Sequence, residues 1–141
     1  MNRVDLQQLA DDRVLDAEAL LAAGRWSAAY YLAGYAVECA LKACVAKETR
    51  EFDFPDRDRA REVFTHDLAS LLKHAKLEKR LAADSSTGGV VGPRLLSNWL
   101  VVKDWNEHSR YRQLTEADAR RLILAVTSHA EGMLPWIKLV W

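Results

Sequence analysis

In the stretch "AAYYLAGYAVECALKA", residues 28–43, one acid and one base, Glu38 and Lys42, interrupt an otherwise apolar run. They stand four apart with the acid first, the favourable orientation for a pair on one helix face. One reading is a structural ion pair on a narrow polar strip. The sharper reading is a partly buried carboxylate that holds an arginine from another helix. Burying either charge without a partner is costly, so partners are expected. The arginines of "WNEHSRYR", residues 105–112, are the natural candidates, and the sequence predicts that Glu38 meets Arg110 or Arg112.

His66 lies in "THDL", which reads as the first turn of a helix. The helix dipole there disfavours the imidazolium. A neutral imidazole can act as a general base, and it can equally pack its ring and bond a single neighbour. His74 is two helical turns further on, too far to share a metal ion with His66. Cys-x-x-Cys, His-Glu-x-x-His and Glu-x-x-His spacings are absent, so neither a metal nor a cofactor is expected. In "WNEHSRYR", Arg110, Tyr111 and Arg112 combine guanidinium groups with an aromatic ring. That is a surface for phosphate and base contacts, or else a turn anchored by Trp105 and Tyr111. "DSSTGGVVGPR" lacks the Gly-Lys-Ser/Thr ending of a phosphate loop and reads as a plain loop.

The elements that must position these groups fit one domain. The chain has 141 residues, half of them hydrophobic, and a formal net charge of zero. Such a charge argues against a protein that coats nucleic acid through bulk cations. The start, "MNRVDLQQLADD", has no apolar leader core, and Glu38 and Lys42 break the most apolar stretch. A cytoplasmic protein with no membrane span is expected. Cys39 and Cys44 are five apart on one predicted helix, ~7.5 Å along its axis. That exceeds the reach of about 7 Å between the Cα atoms of a relaxed disulfide, so buried thiols are expected.

The pattern is helical throughout. Leu6, Leu9, Val14, Leu15, Ala17, Leu20 and Leu21 recur at helical spacing, which predicts a first helix over about 4–23 closed by Gly24. A second, apolar nearly all round, runs from Trp26 or Ser27 to about Glu48 and is the expected centre. Residues 49–60 read as a charged surface loop with room for a short helical turn. Thr65 is the expected cap of the next helix, and Pro93 the first residue of another. Thr115 and Asp118 have capping-box spacing before a long terminal helix that ends in the apolar "LPWIKLVW". That tail either packs back or forms a patch for a partner. No run alternates with period two. The expectation is an all-α, up-and-down bundle of four to five helices.

Three stretches together resemble the HEPN domain family: "GRWSAAYYLAGYAVECALKA", "THDLASLL" and "WNEHSRYR", in that order over residues 24–112. The resemblance implies a small helical bundle, often a homodimer, working in toxin–antitoxin, defence or stress modules. It implies RNA or a nucleotide as ligand and a nucleotidyltransferase-type antitoxin as partner. Many members are metal-independent ribonucleases built on Arg, four to six residues, then His; others are inactive binding partners. Here Arg61 and Arg59 stand at such spacings before His66, with Glu62 and Ala60 following them. RNA would attack its own phosphate through the 2′-hydroxyl, His66 taking the proton and an arginine steadying the transition state. Two readings follow. One is a binding module that uses His66, Arg110, Glu38, Lys42, Tyr111 and Arg112. The other is a dimeric ribonuclease that uses His66 with Arg61 or Arg59.

Overall fold

The computed structural model describes residues 1–49 and 57–141, with the backbone alone at 57–59. Its helices are α1 (Arg3–Ala22), α2 (Trp26–Lys47), α3 (Arg57–Val63), α4 (Leu68–His74), α5 (Glu78–Ser85), α6 (Val91–Val102), α7 (Glu116–Thr127) and α8 (Met133–Lys138). A 3-10 turn, Glu107–Tyr111, precedes α7, and no strand occurs among the described residues. Four helices reach twelve residues or more, namely α1, α2, α6 and α7. They form the expected all-α bundle, and short segments fill in around them. The predicted loop over 49–60 lies largely outside the described residues, which resume at α3.

Helices α1 and α2 form a hairpin closed by Gly24, whose φ of +73° suits a residue without Cβ. The Gly24 amide donates to Leu21 and the Arg25 amide to Leu20, a Schellman closure. Ala10 and Ala17 of α1 are buried, whereas Leu15, expected on the inner face, is mostly exposed. Small residues let α1 lie close against α2. Helix α2 is the centre, touching α1, α4, α7, α8 and the 3-10 turn. Its buried side chains run from Ala29 to Val45.

Three boundaries differ from expectation. Thr65 does not cap α4; Asp67 does, its carboxylate accepting from the Ser70 amide at 2.6 Å. Pro93 is the third residue of α6 rather than the first, still within the turn whose amides need no intrahelical acceptor. The long terminal helix divides into α7 and α8. Ser128 leaves helical geometry after bonding back to the Leu124 carbonyl, and Ala130 takes a φ of +68°. Helix α4 instead ends in a Schellman closure, with Lys76 at φ +58° before α5. Periodicity predicts apolar faces across both breaks but does not register one residue in a left-handed conformation.

The tail packs back on the bundle. Trp136 and Ile137 are buried, and the Trp136 indole donates to Asp84 at 2.8 Å. Lys138 pairs with Asp11, Arg3 donates to the Trp141 carbonyl, and Lys47 donates to the Val140 carbonyl. Thr115 and Asp118 form the predicted capping box, and the Thr115 amide and hydroxyl, both donating to the Asp118 carboxylate, hold that carboxyl below its usual value.

Trp105 fixes the connection between α6 and α7. It is buried against α2 at Gly34, where a Cβ would stand 2.2 Å from the indole. Gly34→Ala should therefore force the ring out and cost about 3 kcal/mol. Urea unfolding of the variant against the wild type checks this.

Candidate functional site

Tyr31, Gly34, Tyr35, Glu38 and Lys42 recur at three- and four-residue steps, so they share one face of α2. The Tyr31 and Tyr35 rings lie nearly parallel, 8° apart with centroids at 6.3 Å, and Tyr31 also meets Trp105. Both tyrosines are partly exposed. Beyond them Glu38 is only 1% exposed. Its Oε1 accepts from Lys42 Nζ at 2.7 Å, and both carboxylate oxygens lie 3.0 Å from His66 Nδ1.

This geometry sets the state of the histidine. An ionised carboxylate only accepts, so His66 Nδ1 carries the hydrogen between them. In the neutral ring Nε2 then holds the lone pair. The His66 side chain is 49% exposed, against 2% for that of Glu38. A buried carboxylate therefore orients a histidine that remains open to ligand, as in general-base pairs.

Glu38 meets neither Arg110 nor Arg112, the partners that the sequence predicts. The demand of the buried charge is met by Lys42 on the same helix and His66 from the segment before α4. Arg110 instead lies over the ring of Tyr111, 4.9 Å from its centroid. Tyr111 is itself 76% exposed, so of the two aromatics expected to anchor the turn only Trp105 does so. Arg112 lies near Tyr30, whose phenol burial pushes up and whose shift the guanidinium opposes. Spacing alone cannot rank an arginine against a histidine when both come from remote segments.

His66 is also not in a first helical turn. It precedes the capping residue Asp67, so Glu38 and not the α4 dipole governs its ring. Arg61 lies in the last turn of α3, is exposed, and has no hydrogen bond or ion pair to His66 among the described residues. The side chain of Arg59 lies outside the described residues. His74 faces Glu62 at 3.8 Å. Among the described residues no three His, Cys, Asp or Glu side chains gather where they could share a metal ion.

Cys39 and Cys44 are free and buried. Burial pushes both thiols up to about 11; the neighbouring Glu38 charge adds to this at Cys39. The Tyr35 phenol is raised as well, by burial first and then by Cys39 and Glu38.

A second feature was not foreseen from the sequence. The N-terminal turn of α2 flanks one side of an open cleft of about 510 Å³, and the 3-10 turn with the segment after it flanks the other. Arg25, Trp26, Tyr31, Arg110 and Gln113 line it. Ser27 holds the two walls together, its hydroxyl accepting from the Leu114 amide at 2.9 Å. The seat of Trp105 on Gly34 brings Arg110 to this end of α2. The signal was the glycine within "AAYYLAGYA", which marks a close approach to the helix without naming what approaches.

Among known protein families, the HEPN domain matches this chain over residues 4–139. No curated protein and no solved structure matches it.

Two outcomes follow from the geometry. Glu38→Gln keeps the shape but leaves Lys42 and His66 without their anion. Because both partners reach solvent, the expected loss is about 2 kcal/mol, below that of a fully enclosed pair, read from urea unfolding. The thiols set an alkaline limit. Unfolded, they titrate near 9; folded, near 11, so the folded chain keeps protons that the unfolded chain has released. Their stabilisation is complete below pH 9 and is lost as pH rises towards 11. The urea midpoint should fall through that interval more steeply in the wild type than in a Cys39→Ala, Cys44→Ala variant.

Proposed function

The chain belongs to the HEPN domain family, and on that premise we propose that it is a helical module that binds RNA or a nucleotide, with Glu38, Lys42 and His66 at the contact centre. One observation carries the reading. A carboxylate removed from water is costly to keep charged, and here it fixes a ring that stays half exposed. A purely structural pair has no need of an open edge. In its imidazolium form His66 also carries a hydrogen on Nε2, and this N–H and the partly exposed Lys42 ammonium then offer a phosphate two contacts on one patch.

The proposal extends to the setting. The module works in the cytoplasm as a homodimer, in a toxin–antitoxin or defence system with a nucleotidyltransferase-type antitoxin as partner. Among the described residues no helix is long and apolar enough to cross a membrane.

A second reading is favoured by the Glu38–His66 hydrogen bond itself. A neutral His66 with its lone pair on Nε2 is arranged to take the proton of a 2′-hydroxyl. The protein would then be a metal-independent endoribonuclease, Arg61 or Arg59 stabilising the charge that develops on the phosphate.

One experiment addresses both. Labelled single-stranded RNA is incubated with the protein in EDTA, binding being followed by anisotropy and cleavage by gel. Wild type should bind, and His66→Ala should bind about tenfold more weakly, as expected for loss of one good charge-assisted contact. If the protein is also a nuclease, wild type cuts and His66→Ala cuts slower by roughly 100-fold or more, as for loss of a general base. A folded wild type that neither binds nor cuts RNA, and binds no nucleotide, ends both readings.

A further inference from the structure

The chain is neutral overall, yet its arginines are unevenly compensated. Arg13 pairs with Asp16, Arg80 with Asp84, Arg94 with Glu131, Arg120 with Glu116 and Arg121 with Asp118. Arg25 and Arg110 have no acidic partner within 4.0 Å among the described residues, both are exposed, and both line the cleft at the start of α2. They come from segments about 85 residues apart, brought together by the hairpin closure at Gly24 and the seat of Trp105 on Gly34.

The rest of the cleft adds complementary chemistry. Trp26 and Tyr31 supply rings, and Gln113 both a donor and an acceptor. Helix α2 has 22 residues and no side-chain cap, so the positive end of its dipole opens towards the same space. The volume of about 510 Å³ lies within the range of small-ligand sites. Tyr31 is also the first residue of the α2 face that continues through Tyr35 to Glu38. Glu38 stands seven positions after Tyr31, ~10 Å along the helix axis. A ligand seated in the cleft must therefore extend along α2 to touch His66.

We propose that this cleft is a second subsite for single-stranded RNA, distinct from the His66 centre. Arg25 and Arg110 hold a backbone phosphate there, and Trp26 and Tyr31 hold the adjoining base. The strand then runs along the Tyr35 face to the His66 site. The proposal rests on the RNA-binding reading above and adds to it a place and a direction for the strand.

The test measures binding of a labelled oligouridylate of about six nucleotides, within the range single-strand sites occupy, and of uridine 5′-monophosphate. Arg25→Gln, Arg110→Gln, His66→Ala and the paired control Arg120→Gln are compared with wild type. Both cleft arginines are exposed, so their variants should melt as wild type does. Should Arg25→Gln lose fold as the helix-capping residue, Arg110→Glu carries the test alone. Each Gln variant should weaken the oligonucleotide at least fivefold and flatten its log–log salt dependence by about 0.7, one single-strand phosphate contact. Arg120→Gln should change neither. The mononucleotide should bind at least tenfold more weakly than the oligonucleotide.

If both cleft variants bind the oligonucleotide as wild type does while His66→Ala is impaired, the subsite is wrong and the His66 reading stands. If the cleft variants are impaired and His66→Ala is not, the subsite stands and the contact centre proposed above falls. A mononucleotide that binds as tightly as the oligonucleotide overturns the strand in favour of a single-nucleotide pocket. A wild type that binds neither removes both.

Discussion

The arrangement of the site depends on one carboxylate that has been taken out of water. Glu38 sits on the most enclosed helix of the bundle, at a position whose neighbours in sequence are apolar. A charge there persists only if donors converge on it. Lys42 comes without long-range order, because four residues on a helix place it on the same face. His66 is the expensive partner. It requires the chain to leave α2, pass through α3 and return so that its ring meets both carboxylate oxygens. The Asp67 cap then starts α4 at once, which packs Leu68, Leu71 and Leu72 into the core. The same contact thus closes a tertiary junction and sets the protonated nitrogen of an exposed imidazole.

Local order was well written into the sequence. The Gly24 closure, the extent of α2, and the Thr115–Asp118 cap depend on residues within one turn of each other. Propensity and capping rules act at that range. The two breaks, at Lys76 and around Ser128–Ala130, were not legible. Each rests on a residue without glycine's freedom held in a left-handed conformation by the packing of the helices on either side. Tertiary contact outweighs the local preference there.

The site was legible in composition and not in pairing. Glu38, Lys42 and His66 stood out as charged or titratable groups in apolar surroundings, and the structure brings these three together. The partner of Glu38 came from a different segment than expected. Coulomb attraction is non-directional and acts between whichever groups the topology brings within reach. Arg110 is delivered elsewhere because the segment that carries it is docked by Trp105 near the start of α2. Arg25 carries no signal in its own neighbours, because its place in the cleft depends on that docking.

The contact between Trp105 and Gly34 has a consequence for how such sequences can vary. An indole occupies the space where any other residue at position 34 would place its first carbon. The two positions are therefore a single unit of substitution, although 71 residues apart in the chain. A relative that keeps the tryptophan is confined to glycine on the helix. One that exchanges it for a small side chain frees the helix position to become alanine or larger, and removes the wedge that sets where the following arginine points. Across related chains, the identity at this one helical position should forecast whether the distant turn stands over the start of the helix.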